Sequence, residues 1–147
     1  MRQIISILTN SKVGPWNIPS RGQSFINNYY ANVNGYKVTH VYNAGLFFNF
    51  FKDFNSIIGK KIKNKNSIIV FCSTFQIMDL NTEKKNFINY FKKFETHFAL
   101  EYKKGKGEKF LKSIFNEIDD YKKSKKLNIS GINTYTNLFK KYKKKIL

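Results

Sequence analysis

Ser67-Ile68-Ile69-Val70-Phe71-Cys72-Ser73-Thr74-Phe75-Gln76 is the stretch from which the fold can be read. An unbroken β-branched and aromatic run, Ile68 to Phe71, turns abruptly polar at Cys72. A continuous apolar run of this length, set between a lysine-rich stretch and a helical pattern, suits a strand buried on both faces. Such strands belong to parallel sheets covered by helices, where ligands sit beyond the carboxyl ends of the strands. Cys72, Ser73, Thr74 and Gln76 stand at that end. The strand is therefore expected at the centre of the sheet, with its tip forming one wall of a site.

Toward the amino terminus, Gln3 to Thr9 reads as strand one and ends in the polar Thr9-Asn10-Ser11. A loop, Lys12 to Pro19, holds both prolines and the only tryptophan, Trp16. Ser20 and Gln23 have the spacing of a capping box at the start of a helix. Phe25, Ile26, Tyr29, Tyr30 and Val33 then recur at helical spacing until Gly35 supplies the stop. Tyr36 to Tyr42 alternates as strand two, and Ala44 to Ile58 carries a broad apolar helical stripe. Toward the carboxyl terminus, Asn81-Thr82-Glu83 opens a helix with Phe87, Ile88, Tyr90, Phe91 and Phe94 facing inward. Glu95 to Glu101 reads as a fourth strand and Glu108 to Lys122 as a further helix. Leu127 to Thr134 reads as a turn-rich connection, and Tyr135 to Lys145 as a short basic helix or tail.

Four alternations of strand and helix predict an α/β fold: a single-domain three-layer sandwich with a four-stranded, mainly parallel sheet. Right-handed crossovers allow the flavodoxin- and resolvase-like strand order 2-1-3-4. Its switch point puts Asn10 and Ser11 across a crevice from Ser73 and Thr74. The domain is expected to span residues 1–126, with 127–147 as a basic carboxyl-terminal helix or tail.

At 147 residues the chain can bury a core without staples. No apolar run approaches the ~20 residues that span a bilayer. The start, Met1 to Leu8, reads as a strand rather than a signal peptide. The single cysteine, Cys72, excludes an internal disulfide and a cysteine zinc cluster. A cytoplasmic protein is the default expectation. The net charge of +18 invites a nucleic-acid reading. Its distribution qualifies that: from Tyr102 onward there are 14 Lys and 4 acids, so +10 lies in the last third. Arg occurs only at Arg2 and Arg21, whereas base readout favours the planar fork of Arg. A composition rich in Asn, Ile, Phe and Tyr is also what an AT-rich genome imposes.

Several fragments recur in a known order. Ile18-Pro19 is followed by Gln23, Ile26, Tyr30 and Asn34; then come Tyr42-Asn43-Ala44, Ile69-Val70 with Phe75-Gln76, and His97-Phe98-Ala99-Leu100-Glu101. Over about Ser11 to Tyr121 this set resembles the sporadic carbohydrate cluster protein family, small bacterial proteins encoded among genes for surface polysaccharide biosynthesis. The chain departs from that pattern at Ser20 and Asn43. The resemblance implies a pathway context and no particular reaction. A looser similarity is to the catalytic domain of serine recombinases, another small α/β fold with a polar first loop and Gln early in its first helix. Those enzymes need a nucleophilic Ser backed by several arginines, and here only Arg21 lies near the expected site.

The chemistry-bearing residues each admit a structural and a functional reading. Arg21, with the helix start at Ser20 and Gln23, could hold a phosphate or carboxylate, or simply be a capped helix with an exposed Arg. Asn10, Ser11, Ser73, Thr74 and Gln76 could hold hydroxyls, or satisfy their own turns. Glu101 is the expected proton-transfer group, with His97 deeper on the same strand face as its tuner. Cys72 reads as a small core residue. Two separated His and no clustered carboxylates give no metal site, and no cofactor motif is present. The function expected on the family resemblance is a small enzyme or enzyme-like binder in surface carbohydrate assembly, acting on a sugar phosphate or nucleotide-sugar. The alternatives are a basic module binding nucleic acid or another polyanion, and a non-catalytic partner of a pathway enzyme, suggested by the exposed loop at Trp16. Subunits of this size often pair, so a homo-oligomer is compatible with each reading.

Overall fold

The Ile68–Phe71 strand is third of five in its sheet, and all four of its residues are buried. The structure is a computed structural model that describes residues 2–9, 12–43, 66–79 and 84–124. It divides into two units, residues 1–115 and 116–147. The first holds the sheet; the described part of the second, residues 116–124, is helical. The expected helix Ala44 to Ile58, the helix start at Asn81-Thr82-Glu83, Asn10, Ser11 and the basic stretch 127–147 lie outside the described residues.

In chain order the elements of the first unit are β1 (Gln3–Leu8), β2 (Lys12–Val13), β3 (Trp16–Asn17), α1 (Ser20–Val33), β4 (Lys37–Asn43) and β5 (Ile68–Phe71). There follow a short 3-10 helix (Thr74–Asp79), α2 (Lys84–Phe91), β6 (Glu95–Phe98), β7 (Lys103–Lys106) and α3 (residues 108–115). The sheet order is β4-β1-β5-β6-β7. Its first four strands run parallel, which is the expected 2-1-3-4 order.

Both faces of the sheet are covered. Ile68 and Val70 pack with Ile4, Tyr30, Ala31 and Ala99 on the α1 side. On the other side, Phe71 meets Phe87 and Phe91 of α2, with ring centroids 5.9 and 5.8 Å apart, and stacks on Phe98 at 5.6 Å. Burying each ring contributes about 1.5–3 kcal/mol, against about 0.5–1.5 kcal/mol for the ring pairing itself. Burial outweighs the pairing, so this layer depends on having large apolar side chains more than on their mutual angles.

Three local features differ from the sequence reading. The first is a fifth strand, β7, antiparallel to β6. Its sequence, Lys-Lys-Gly-Lys, carries no apolar alternation. It pairs because the turn Ala99–Tyr102 returns the chain, with Tyr102 in the left-handed region at φ 53. The fourth strand therefore ends at Phe98, and Glu101 sits in that turn.

The second is the start of α1, where no capping box forms. Pro19, extended at φ −61 and ψ 158, is the N-cap and makes no side-chain cap. The Gln23 amide is drawn inward by stronger demands, described below. At the other end Asn34 donates to the Tyr30 carbonyl at 2.8 Å, and Gly35 at φ +72 ends the helix as expected.

The third is the orientation of α1. The residues it buries are Gln23, Asn27, Tyr30 and Ala31. Phe25, Tyr29 and Val33 face water and are 71, 62 and 56 % exposed. The helical spacing is legible in the sequence, but most of the apolar stripe points out.

Candidate functional site

The carboxyl ends of β1 and β5 meet the inner face of α1 through two glutamines. Gln23 accepts the Thr9 backbone N–H at 2.8 Å on its Oε1 and donates from Nε2 to the Ile18 carbonyl at 2.9 Å. Gln76 donates from Nε2 to Gln23 Oε1 and to the Ile7 carbonyl, both at 3.1 Å, and accepts the Cys72 N–H at 2.7 Å. Neither side chain is exposed at all. Parallel strands end here with backbone groups that no ladder satisfies, and the amides supply what the ladder lacks. One turn along α1, Asn27 donates to the Ser6 hydroxyl at 2.9 Å. Its Oδ1 is buried with no hydrogen-bond partner.

Beside this pair, the Glu101 carboxylate accepts the Ser73 hydroxyl at 2.5 Å and the Thr74 N–H at 3.1 Å. Ser73 Oγ in turn accepts the Phe75 N–H at 3.1 Å. Glu101 thus closes the open first turn of the 3-10 helix from a distant part of the chain. Cys72 is fully buried, and its thiol is pushed up to about 12 by burial and the Glu101 charge. A thiol held protonated in this way is a poor nucleophile. The hairpin of β2 and β3 lies against the same 3-10 helix. Trp16 meets the Phe75 ring edge-on at 5.6 Å, and Gly14 approaches Phe75 so closely that a Cβ there would stand 2.6 Å from Phe75 Cβ.

Of the sequence-assigned residues, the fold brings together Gln23, Ser73, Thr74, Gln76 and Glu101. Each is engaged in the bonds just described. Arg21 is exposed, and two residues of helix place it on the side of α1 away from Gln23. His97 makes a separate set of contacts deeper in the sheet.

That set lies beyond what the sequence reading anticipates. His97 is fully buried; its Nδ1 lies 2.7 Å from the Tyr30 hydroxyl and its Nε2 2.9 Å from Glu95 Oε1. Glu95 Oε2 pairs with Arg2 Nη1 at 2.6 Å, and Arg2 donates from Nη2 to the Asn66 carbonyl at 3.0 Å. Burial lowers the His97 pKa against the opposing pull of Glu95. Burial also works to raise Glu95, but hydrogen bonds from His97 and Arg2, with their charges, outweigh it and hold the carboxyl below its usual range. The Tyr30 phenol is pushed up to about 12, chiefly by burial. These directions select one protonation pattern: Tyr30 donates to Nδ1 of a neutral imidazole, which donates from Nε2 to ionised Glu95. The signal available in the sequence is the polar spacing Gln23, Asn27, Tyr30, which is one inward helix face written in hydrogen-bonding residues.

Among the described residues no cluster of three or more His, Cys, Asp or Glu could hold a metal, and no helix is long and apolar enough to cross a membrane.

No family model matches the chain, and no curated protein matches it. Among solved structures, the chain is similar to the N-terminal catalytic domain of TP901-1 integrase: TM-score 0.55, 12% identity, covering 85% of this chain and 99% of that one. It is likewise similar to a resolvase family site-specific recombinase from Streptococcus pneumoniae: TM-score 0.56, 9% identity, covering 88% and 94%. These matches establish a resolvase-like fold. They overturn the resemblance to the sporadic carbohydrate cluster family, and with it the expected role in surface carbohydrate assembly and the sugar phosphate or nucleotide-sugar partner.

Proposed function

We propose that this chain binds nucleic acid through its phosphate backbone, with little sequence preference, and without the strand exchange of serine recombinases. The observation that carries the proposal is the charge: 27 Lys and Arg against 9 acids, on a fold shared with the catalytic domain of an integrase and with a site-specific recombinase. The lysines are set outward. Lys92, Lys104, Lys106, Lys109 and Lys112 are all exposed; Lys92 and Lys112 flank Glu108 and lower its pKa, the Lys112 hydrogen bond first. Lys104 and Lys106 lie on β7, and Lys109 and Lys112 on α3, which follows it. Lysine is a point charge suited to phosphate, whereas base readout uses the fork of Arg. Strand exchange needs several arginines around a nucleophilic Ser. Here Arg2 is tied to Glu95 at the opposite end of the sheet from Ser73, which leaves Arg21.

A specific observation favours a second reading of the same lysines: edge strands often carry Lys to prevent pairing with another sheet. Charge reversal separates the two. Duplexes of unrelated sequence should bind alike, with log affinity falling on log salt by about 0.9 for each phosphate contacted. Changing Lys104, Lys106 and Lys109 to Glu should weaken binding and flatten that slope, and supercoiled DNA should stay unrelaxed. Unchanged affinity in this variant would leave edge protection as the role of the β7 lysines.

A further inference from the structure

The outer face of α1 carries Arg21, Phe25, Asn28, Tyr29, Asn32 and Val33, all exposed. Phe25, Tyr29 and Val33 recur every four residues, so they form one stripe along a helix of 14 residues. A surface helix ordinarily turns its apolar side inward, and α1 does the reverse. Its inner side is committed to polar work: Gln23 to Thr9 and Gln76, Asn27 to Ser6, and Tyr30 to His97. The outward aromatics are therefore not displaced core residues with an empty place waiting inside. Beside the helix, β4, first in the strand order among the described residues, has a one-residue irregularity at Thr39. Beyond it Val41 is in register with Ser6, whose hydroxyl bonds Asn27 of α1. Val41 thus stands on the α1 side of the sheet and is 52 % exposed.

The charge on this face is the argument for one occupant over others. The chain has 27 Lys and Arg in 147 residues, yet α1 has one charged residue, Arg21, and no Lys. Interface cores are depleted of Lys and Glu and enriched in aromatics. A surface cleared of positive charge in so basic a protein suits a partner that is itself strongly positive. A polyanion or an acidic protein would be met best by the lysines elsewhere. We infer that the outer face of α1 docks a second copy of this chain, in a two-fold contact that sets Tyr29 of one copy near Tyr29 of the other. The inference stands independently of nucleic-acid binding, because it uses an α-helix that contributes no lysine.

The experiment is sedimentation of the purified full chain over a concentration series, for the wild type and for Phe25→Lys/Tyr29→Lys. Both residues are mostly exposed, so the variant should fold, and its melting temperature should be independent of concentration while that of the wild type rises with it. A wild-type dimer that becomes a monomer in the variant is the expected result. In a Cys72→Ala background, Tyr29→Cys should cross-link the dimer to itself on oxidation. Three results would overturn the inference. A wild type that stays monomeric throughout would do so; so would a dimer that survives the double substitution. The third is a monomer whose Tyr29→Ser variant melts lower or loses single-stranded DNA, since the stripe would then be covered by the chain's own residues or serve as a base-stacking platform.

Discussion

Acid should weaken this protein over two pH windows, and the residues that set them are His97 and Glu95. The folded His97 has its pKa below the ordinary 6.5. The unfolded chain therefore takes up a proton that the fold resists. This contribution to stability is complete above about pH 6.5 and is lost as pH falls toward the lowered value. Glu95 is held below its ordinary 4.5, so its contribution is present above that value and is lost as pH drops through the lowered one. Urea midpoints measured between pH 8 and 3 should thus fall first below about 6.5 and again below about 4.5. A His97→Gln variant should lack the first step, whatever the substitution costs at pH 8. Tyr30→Phe removes the donor to a fully buried Nδ1 and should cost about 1–3 kcal/mol at neutral pH. A flat profile in the wild type would mean that His97 titrates alike in both states. Only the inward helix position of Tyr30 is legible in the sequence, and its partners are not. The sequence places Glu95 two residues before His97 on a strand, but Arg2 and Tyr30 reach them only through the pairing of β1 and β6 with β5 and the inward turn of α1.

At the scale of elements, the legible parts are those written in apolar runs. Ile68 to Phe71 marks a fully buried strand, and the order of the parallel strands follows from alternation and crossover handedness. The parts that are not legible lack such a signature. β7 is four residues of Lys and Gly, held by the return of the chain and by the Phe110 ring, which leaves no room for a Cβ at Gly105. α1 misleads because its inner side is held by amides and a phenol, so its apolar spacing points outward. The candidate site is half legible: the strand-end rule locates Ser73, Thr74 and Gln76, while the destination of Glu101 depends on where β6 stops. The hairpin of β2 and β3 offers the sharpest test at this scale. Gly14 has φ +57, and a Cβ there would meet Phe75 at 2.6 Å. Gly14→Ala should therefore destabilise by about 1–3 kcal/mol. Phe75→Gly, which removes the Cβ that alanine would keep, should recover part of that loss in a double-mutant cycle, since one of the two penalties is the collision between these residues. Strictly additive losses would leave the backbone angle as the whole cost.

For the whole molecule, the proposed lysine edge and the proposed docking face occupy opposite margins of the sheet. β4, beside α1, is first in strand order and β7 is last. Two copies joined through α1 would each keep the β7 edge free, and a duplex long enough to reach both edges would be held twice. Linked sites turn the second contact into an intramolecular event and raise affinity without adding any new contact. The dimer should then show a salt slope close to twice that of a protomer, because the slope counts phosphates neutralised. Phe25→Ser/Tyr29→Ser, which removes the aromatic rings without adding charge, isolates this effect. On a long duplex its slope should be about half that of the wild type; on a duplex too short to reach both edges the two proteins should agree per protomer. Equal slopes on the long duplex would show that the copies bind one at a time. The basic edge would then act alone, with pairing through α1 serving some purpose other than hold on DNA.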